Sequence, residues 1–464
     1  MSNVRVVELF AGVGGFRIGL EQVKPISGVR YSVVWSSQWE PGKARQWASD
    51  LYTRRFGATG HSNEDIQKVV DNAPESIPDA DVLVGGFPCQ DYSVARTLKD
   101  AAGLEGKKGV LWWSIYNLLK HKGENAPRFL ILENVDRLLK SPAGRRGRDF
   151  AIMLASLASL GYAVEWRVVN AADYGMPQRR RRVFIIGYKS GTDAFAQISS
   201  LPVKEDWLLK RGAMQNAFPA KPEKNAVASR LSVGFDPVAV SNEFSMSKPA
   251  QSPFATSGVM VDGEVWMLPL KPEFNGKRLT LGEMLEPEEN VPAGFFIEAA
   301  ALGKWKYMKG AKKEPRKSSA GHEYLYTEGA VVFPDPLGQP SRTIVTGEGG
   351  STPSRFKHVV QTSSGRHRRL MPVELERLNM FPDNHTAGVP DTTRAFLMGN
   401  ALVTGVVARI GETLLKTITR ARQDGNLEPI KYPVFNEDEC VGNLQLQLLE
   451  NRRKYKSKST PDKK

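Results

Sequence analysis

Val82-Leu83-Val84-Gly85-Gly86-Phe87-Pro88-Cys89-Gln90 reads as a short apolar strand that runs into a glycine turn and presents one thiol just past its end. Open α/β sheets hold their ligands in the crevice beyond the carboxyl ends of their strands, so a cysteine placed there reads as a nucleophile for covalent catalysis. Taken alone, a single cysteine is more often a small buried hydrophobe. The neighbouring stretches decide between the two readings.

Working outward, Val4 to Tyr188 alternates short β-branched runs with helical stretches, the pattern of a mostly parallel sheet covered on both faces. Strands are expected at Val4 to Leu9, Tyr31 to Trp35, Val82 to Val84, Phe129 to Leu132, Ala163 to Val169 and Val183 to Gly187. Helices are expected at Leu111 to Lys120 and at Asp149 to Leu160, the second ended by Gly161. The fold class is therefore α/β, a doubly wound, mostly parallel sheet with a second, smaller and irregular β-rich domain. After Tyr188 the periodicity weakens, and Pro, Gly, Ser and Lys become frequent. The expected division is 1–190 as the first domain, 191–365 as a second domain inserted or appended, 366–422 returning to complete the first, and 423–464 as a C-terminal extension. Within the second domain, Gly263 to Leu270 and Gly329 to Phe333 look like irregular β. Arg394 to Leu415 is helical again.

Composition narrows the partner. The 464 residues carry 64 Lys and Arg against 50 Asp and Glu, a formal charge of +14. Such an excess releases counterions from a phosphate backbone and points to nucleic acid. Two cysteines, Cys89 and Cys440, make no disulfide framework, and six scattered histidines lack metal-ligand spacing, so no metal is expected. The soft apolar stretch from Ala151 to Val164 is too short for a bilayer, and the start lacks a signal peptide's apolar core. The expectation is a cytoplasmic, nucleoid-associated protein that meets no membrane. The end, Asn451 to Lys464, carries seven Lys or Arg and one acid, Asp462, and reads as a solvated basic tail.

Glu8-Leu9-Phe10-Ala11-Gly12-Val13-Gly14-Gly15-Phe16 reads as strand, glycine turn and helix, where the backbone can approach a ligand closely. It departs from the dinucleotide pattern G-x-G-x-x-G, because Arg17 stands at the sixth position from Gly12. Phe-Ala-Gly-x-Gly-Gly instead resembles the S-adenosylmethionine motif of the DNA cytosine-5 methyltransferases of bacterial or phage type. Gly85-Gly86-Phe87-Pro88-Cys89-Gln90 resembles the catalytic motif of the same family, and Glu133-Asn134-Val135 its second. Gln178-Arg179-Arg180-Arg181-Arg182 matches its Gln-x-Arg-x-Arg, and Arg369-Leu370-Met371-Pro372-Val373-Glu374 its Arg-Leu-x-Pro-x-Glu. The motifs follow in the family's order over most of the chain.

The resemblance implies a Rossmann-like S-adenosylmethionine-dependent enzyme that methylates carbon 5 of a cytosine flipped out of double-stranded DNA. Cys89 would add to carbon 6 and Glu133, in protonated form, would donate to ring nitrogen 3. Arg182 would lie near the cytosine carbonyl. For the cofactor it implies Phe10, Gly12, Gly14, Gly15, Trp39, Glu40, Asp65, Ile66, Pro88, Leu111 and Asn400. Acids at successive strand ends suit a ribose and an adenine amino group, and an indole suits an adenine face. For DNA it implies Gln90, Ser93 and Arg180, the last on phosphate. The basic segment from Ala95 to Lys108 is long enough for a lid over the extruded base.

Between the last two motifs the family reads its target sequence. Trp305 to Lys313 and Thr343 to Lys357 mix cations with aromatics or glycines there, so Arg342, Arg355 and Lys357 are expected on DNA. The expected enzyme acts as a monomer, with a cognate restriction endonuclease or defence-system proteins as partners. Two alternatives stand beside this reading: an RNA (tRNA) cytosine-5 methyltransferase, and a non-catalytic DNA-binding module. Intact Cys89, Glu133, Arg182 and glycine turn argue against the second.

Overall fold

The computed structural model describes residues 3–87, 111–142, 144–244, 251–317 and 321–425. Strands and helices alternate from the start: β1 (Val4–Leu9), α1 (Gly15–Glu21), β2 (Tyr31–Ser37), α2 (Trp47–Phe56), β3 (His61–Ser62), α3 (Ile66–Asn72) and β4 (Val82–Gly86). Then come α4 (Leu111–Lys122), β5 (Phe129–Val135), α5 (Arg148–Ser159), β6 (Tyr162–Asn170) and β7 (Arg181–Lys189). Each central strand is apolar on both sides. Val82, Val84, Phe129 and Ile131 enter a cluster with α1, whereas Leu83, Leu130 and Leu132 enter another with α4 and α5. Side chains of a strand alternate between faces, so a run without polar interruptions must be covered twice. This is why the sheet is wrapped by helices on both sides.

The strand order is β3-β2-β1-β4-β5-β7-β6, and the first five run parallel. Winding therefore reverses between β1 and β4, which opens a crevice at their carboxyl ends. The doubly wound reading holds for this half. Beyond β5 the pairing turns antiparallel.

The chain continues through α6 (Asp193–Ser200), α7 (Ala213–Ala217), β8 (Ala220–Pro222), β9 (Ser229–Ser232), α8 (Pro237–Glu243), β10 (Ser257–Val261), β11 (Glu264–Met267) and β12 (Leu270–Pro272). Here the boundary expected at 190/191 needs correction, because β10, β11 and β9 extend the catalytic sheet beside β6 to ten strands. An uncovered β6 would leave a row of unpaired backbone groups, and Ser257 to Met260 pairs with it residue by residue. Gly263 to Leu270 does contain a strand, β11, whereas 329–333 contains none.

The remaining elements are α9 (Ala299–Lys309), the hairpin β13 (Lys312–Lys317) and β14 (Glu323–Glu328), the pair β15 (Val359–Gln361) and β16 (His367–Arg369), α10 (Pro372–Leu378), α11 (Asp391–Asn400) and α12 (Thr404–Gln423). The helical run expected from Arg394 is thus two helices. A third apolar cluster joins Leu281, Ile344, Leu370, Leu378, Phe381 and Met398 to Val13 and to Leu51 of α2, while α12 packs its apolar face against the first cluster. Among the described residues no helix is long and apolar enough to cross a membrane.

Candidate active site

The crevice between β1 and β4 gathers the sequence's candidate chemistry. β4 and β5 pair so that Gly86 stands opposite Glu133. A side-chain carbon at Gly86 would lie 3.2 Å from Glu133 Oε2, so glycine leaves the carboxyl its room. Across the other neighbour, Arg182 stands opposite Val135, and its Nε lies 2.9 Å from Glu133 Oε1. Burial pushes the Glu133 carboxyl above the ordinary carboxylate range, with Arg182 and Arg180 pulling the other way. A carboxyl so placed can hold a proton and pass it on while the guanidinium fixes its direction.

Asn134, buried beside it, donates from Nδ2 to the Phe87 carbonyl at 2.8 Å. Phe87 is packed on Trp112, so the backbone two residues before Cys89 is held to the strand that carries Glu133. Sequence reasoning quoted Asn134 within its motif without giving it this task. Pro88, Cys89, Gln90, Ser93 and the expected lid from Ala95 to Lys108 lie outside the described residues, as does Cys440.

The glycine turn closes the other side of the crevice. Phe10, Gly12 and Gly14 all take left-handed conformations, with φ of 55°, 56° and 87°. A side chain at Gly14 would strike the Phe56 ring at 2.3 Å, whereas the space beside Gly12 is open for at least 4 Å. The turn thus packs on protein at Gly14 and leaves room for a ligand at Gly12. Its backbone is tied to the end of β2, where Ala11 donates to the Ser37 carbonyl and Gly12 to Gln38 Oε1 at 2.7 Å. Trp39 and Glu40 follow directly. The indole is 38% exposed, and the Glu40 carboxylate has no partner among the described residues.

Asp65 follows β3 and caps α3 through the Gln67 amide at 3.1 Å, while Ile66 is buried against the second apolar cluster. Leu111 opens α4 and packs with Phe10 on that cluster. Asn400 ends α11 exposed, and Leu402 just beyond it lies 3.3 Å from where a Gly15 side chain would begin. An open glycine turn, an uncovered indole and a free carboxylate at adjacent strand ends fit a nucleoside-bearing cofactor.

Glu8, at the end of β1, was unmarked by any expected role. It is fully buried, accepts from Tyr52 at 2.9 Å, and has its pKa pushed up to about 7 by burial.

The cations assigned to DNA need correction. Arg180 is 2% exposed and donates to the carbonyls of Ile344 at 3.0 Å and Gly399 at 2.9 Å. Burial pushes its pKa down to about 9, and no face of it is free for a phosphate. Alternation along the arginine run turns Arg179 and Arg181 outward instead. Gln178 joins the same junction, receiving the Ile344 amide and donating to Asn379 Oδ1 at 2.7 Å. Arg342 grips Asp335 at 2.6 Å, Arg355 pairs with Glu328 at 2.9 Å, and Lys357 donates to the carbonyls of Gly350 and Thr352. All three are engaged by partners within the fold, Lys357 buried and Arg342 and Arg355 half-buried. In the other basic stretch Trp305 and Lys309 are likewise buried, leaving Lys304, Lys306 and Lys313 outward.

The comparisons with known proteins agree with this geometry. A family model described as C-5 cytosine-specific DNA methylase matches residues 4–416. The Type II methyltransferase M.Sau3AI of Staphylococcus aureus is 46% identical over 418 residues, spanning 90% of this chain and 96% of the relative. The Type II methyltransferase M.NgoBI of Neisseria gonorrhoeae is 36% identical over 184 residues, 40% of this chain and 50% of the relative. In fold, the structure of the S. pombe Dnmt2 methyltransferase covers 89% of this chain and 98% of its own at a TM-score of 0.53 and 15% identity.

Proposed function

This chain belongs to the C-5 cytosine-specific DNA methylase family and is a DNA cytosine-5 methyltransferase; from that premise we propose which of its residues perform the reaction. Cytosine carbon 5 is too weak a nucleophile to take a methyl group unaided. The Cys89 thiolate forms a bond to carbon 6, and Glu133 delivers a proton to ring nitrogen 3, so that electron density collects at carbon 5. S-adenosylmethionine, when bound, supplies the methyl group as a good electrophile. After transfer the carbon 5 proton leaves to a base, the carbon 6 to sulfur bond breaks, nitrogen 3 returns its proton to Glu133, and both Cys89 and Glu133 are restored.

Arg182 orients the Glu133 carboxyl and faces the base carbonyl. Asn134 keeps the backbone before Cys89 in register with Glu133. The cofactor lies against Phe10, Gly12, Gly14 and Gly15, with Trp39 on its adenine, Glu40 on its ribose hydroxyls, and Asp65, Ile66, Pro88, Leu111 and Asn400 around it. The observation that carries the reading is the placement of Glu133 and Arg182 at 2.9 Å beside the strand that leads to Cys89.

The test is a duplex carrying 5-fluorocytosine at the target, in which fluorine cannot leave as a proton. The protein is expected to be trapped as a denaturation-resistant adduct, and Cys89→Ala to trap none. An adduct at Cys440 would overturn the assignment.

For target reading we propose the part of the second domain that leaves the catalytic sheet, residues 273–365, with its outward cations on the duplex. Replacing that segment with a relative's should change the methylated motif in bisulfite sequencing. An unchanged motif would remove the recognition role. The designation of its relatives as Type II methyltransferases supports a place beside a restriction endonuclease of the same target.

A further inference from the structure

The glycine turn is gripped from a direction that no motif marks. The loop between α10 and α11 brings His385 against it, with the imidazole Nε2 2.7 Å from the Val13 carbonyl. A carbonyl only accepts, so Nε2 carries the hydrogen. The same peptide unit is held at its other end, where the Gly14 amide donates to the Ala11 carbonyl at 2.8 Å. The peptide plane that joins Val13 to the left-handed Gly14 thus has both polar groups fixed.

The imidazole is itself fixed. It is 5% exposed and lies between the rings of Phe56 at 5.9 Å and Phe381 at 5.1 Å. Arg55 donates from Nε to the His385 carbonyl at 2.7 Å and from its terminal nitrogen to that of Asn384, and Arg54 reaches the Ala387 carbonyl at 3.3 Å. The last turn of α2 therefore supplies Arg54 and Arg55 to the loop and Phe56 to the face of Gly14. Burial pulls the imidazole's pKa below its ordinary range, which favours the neutral ring, and the bond to Val13 sets Nε2 as its donor.

We propose that His385 is a positioning residue for the cofactor, which acts by holding the Val13 carbonyl and thereby the left-handed course of Gly12 to Gly14. The proposal rests on the reading of that turn as the cofactor site. Because the turn's preferred conformations include many others, loss of the bond leaves the site to be ordered by the ligand, which weakens binding without touching the reacting atoms.

The experiment is calorimetric titration of the full chain, free of DNA, with S-adenosylhomocysteine, beside steady-state kinetics on duplex DNA. His385→Leu should weaken binding by about tenfold and raise KM for S-adenosylmethionine to match, with kcat at saturating cofactor within about twofold of wild type. His385→Gln, whose amide nitrogen reaches the position of Nε2, should stay within about threefold. His385→Asn is polar but too short, and should behave like the leucine variant; it carries the prediction if the latter does not fold. Unchanged affinity in Leu or Asn, or equal loss in Gln and Leu, overturns the proposal. Glu40→Ala, titrated alongside, reports on the cofactor site itself. Full affinity there overturns that reading and this proposal with it.

Discussion

The strand ends of the catalytic sheet and the irregular segment around residues 341–357 treat their charged residues in opposite ways. At the strand ends β-sheet pairing has satisfied most of the backbone, so Glu133 and Arg182 turn to each other at 2.9 Å, Arg182 adds only its neighbour's carbonyl, and Glu40 stands just past β2. In the irregular segment the carbonyls lack a ladder, and buried or half-buried cations serve them. Arg180 takes those of Ile344 and Gly399, Lys357 those of Gly350 and Thr352, and Arg369 those of Gly350 and Gly294. Residue type thus reports function where backbone pairing is complete. Where it is not, an arginine is as much a structural donor as a ligand for DNA.

The largest effect should come from the strand-end side. Glu133→Ala is expected to lower kcat by about 10²- to 10⁴-fold while leaving S-adenosylhomocysteine affinity unchanged. Turnover within tenfold of wild type, in a methyl-transfer assay at saturating substrates, would remove Glu133 from the reaction.

Arg180→Ala probes the other side. It should reduce stability by roughly 1 to 3 kcal/mol for each of the two carbonyls it leaves unpaired, read as a lower urea midpoint. The slope of DNA affinity against salt should not change, because no phosphate contact is lost. A slope reduced by about one, with stability intact, would restore the phosphate role and break the comparison.

Glu8 gives the strand-end side a pH signature. Its pKa is raised in the folded protein from 4.5 to about 7, so the folded state binds the extra proton. The stability this contributes is fully present below about pH 4.5 and is lost as pH rises through about 7. Relative to Glu8→Gln, wild type should lose up to roughly 3 kcal/mol across that interval in denaturation midpoints taken at successive pH values. Parallel curves would mean that the carboxyl stays ionised throughout.

The smallest effect is the sharpest control. Arg181, one residue from Arg180, is outward and among the described residues pairs with an exposed Asp136 at 3.1 Å. Arg181→Ala should change stability by less than about 1 kcal/mol. A loss matching that of Arg180→Ala would show that burial does not separate the two.

Much of the site was legible from the chain. Strand, glycine turn and helix at Glu8 to Phe16, and the apolar runs ending at Gly86 and Glu133, follow from local pattern alone, and the sheet brings them to one crevice. His385 was not legible, and neither was the task of Gln178, which its motif marks without a partner. Each acts through a carbonyl or amide far along the chain, Val13 for one and Ile344 for the other, and no local periodicity encodes such a partner. The extension of the sheet by β9, β10 and β11 was hidden for the same reason. Short strands after a change of texture look like a new domain until the open edge of β6 is seen to need them.

By itself the sequence determined the doubly wound core and the residue types at its strand ends, and the resemblance of its motifs to a known family implied the kind of reaction they serve. These depend on alternation along a strand and on spacing within a motif, which are local properties. Only the tertiary structure decided which face of each arginine is used, where the sheet ends and what holds the glycine turn. Those outcomes depend on which backbone groups remain unpaired after packing, and that is settled between segments hundreds of residues apart, as between Val13 and His385 or Arg180 and Gly399.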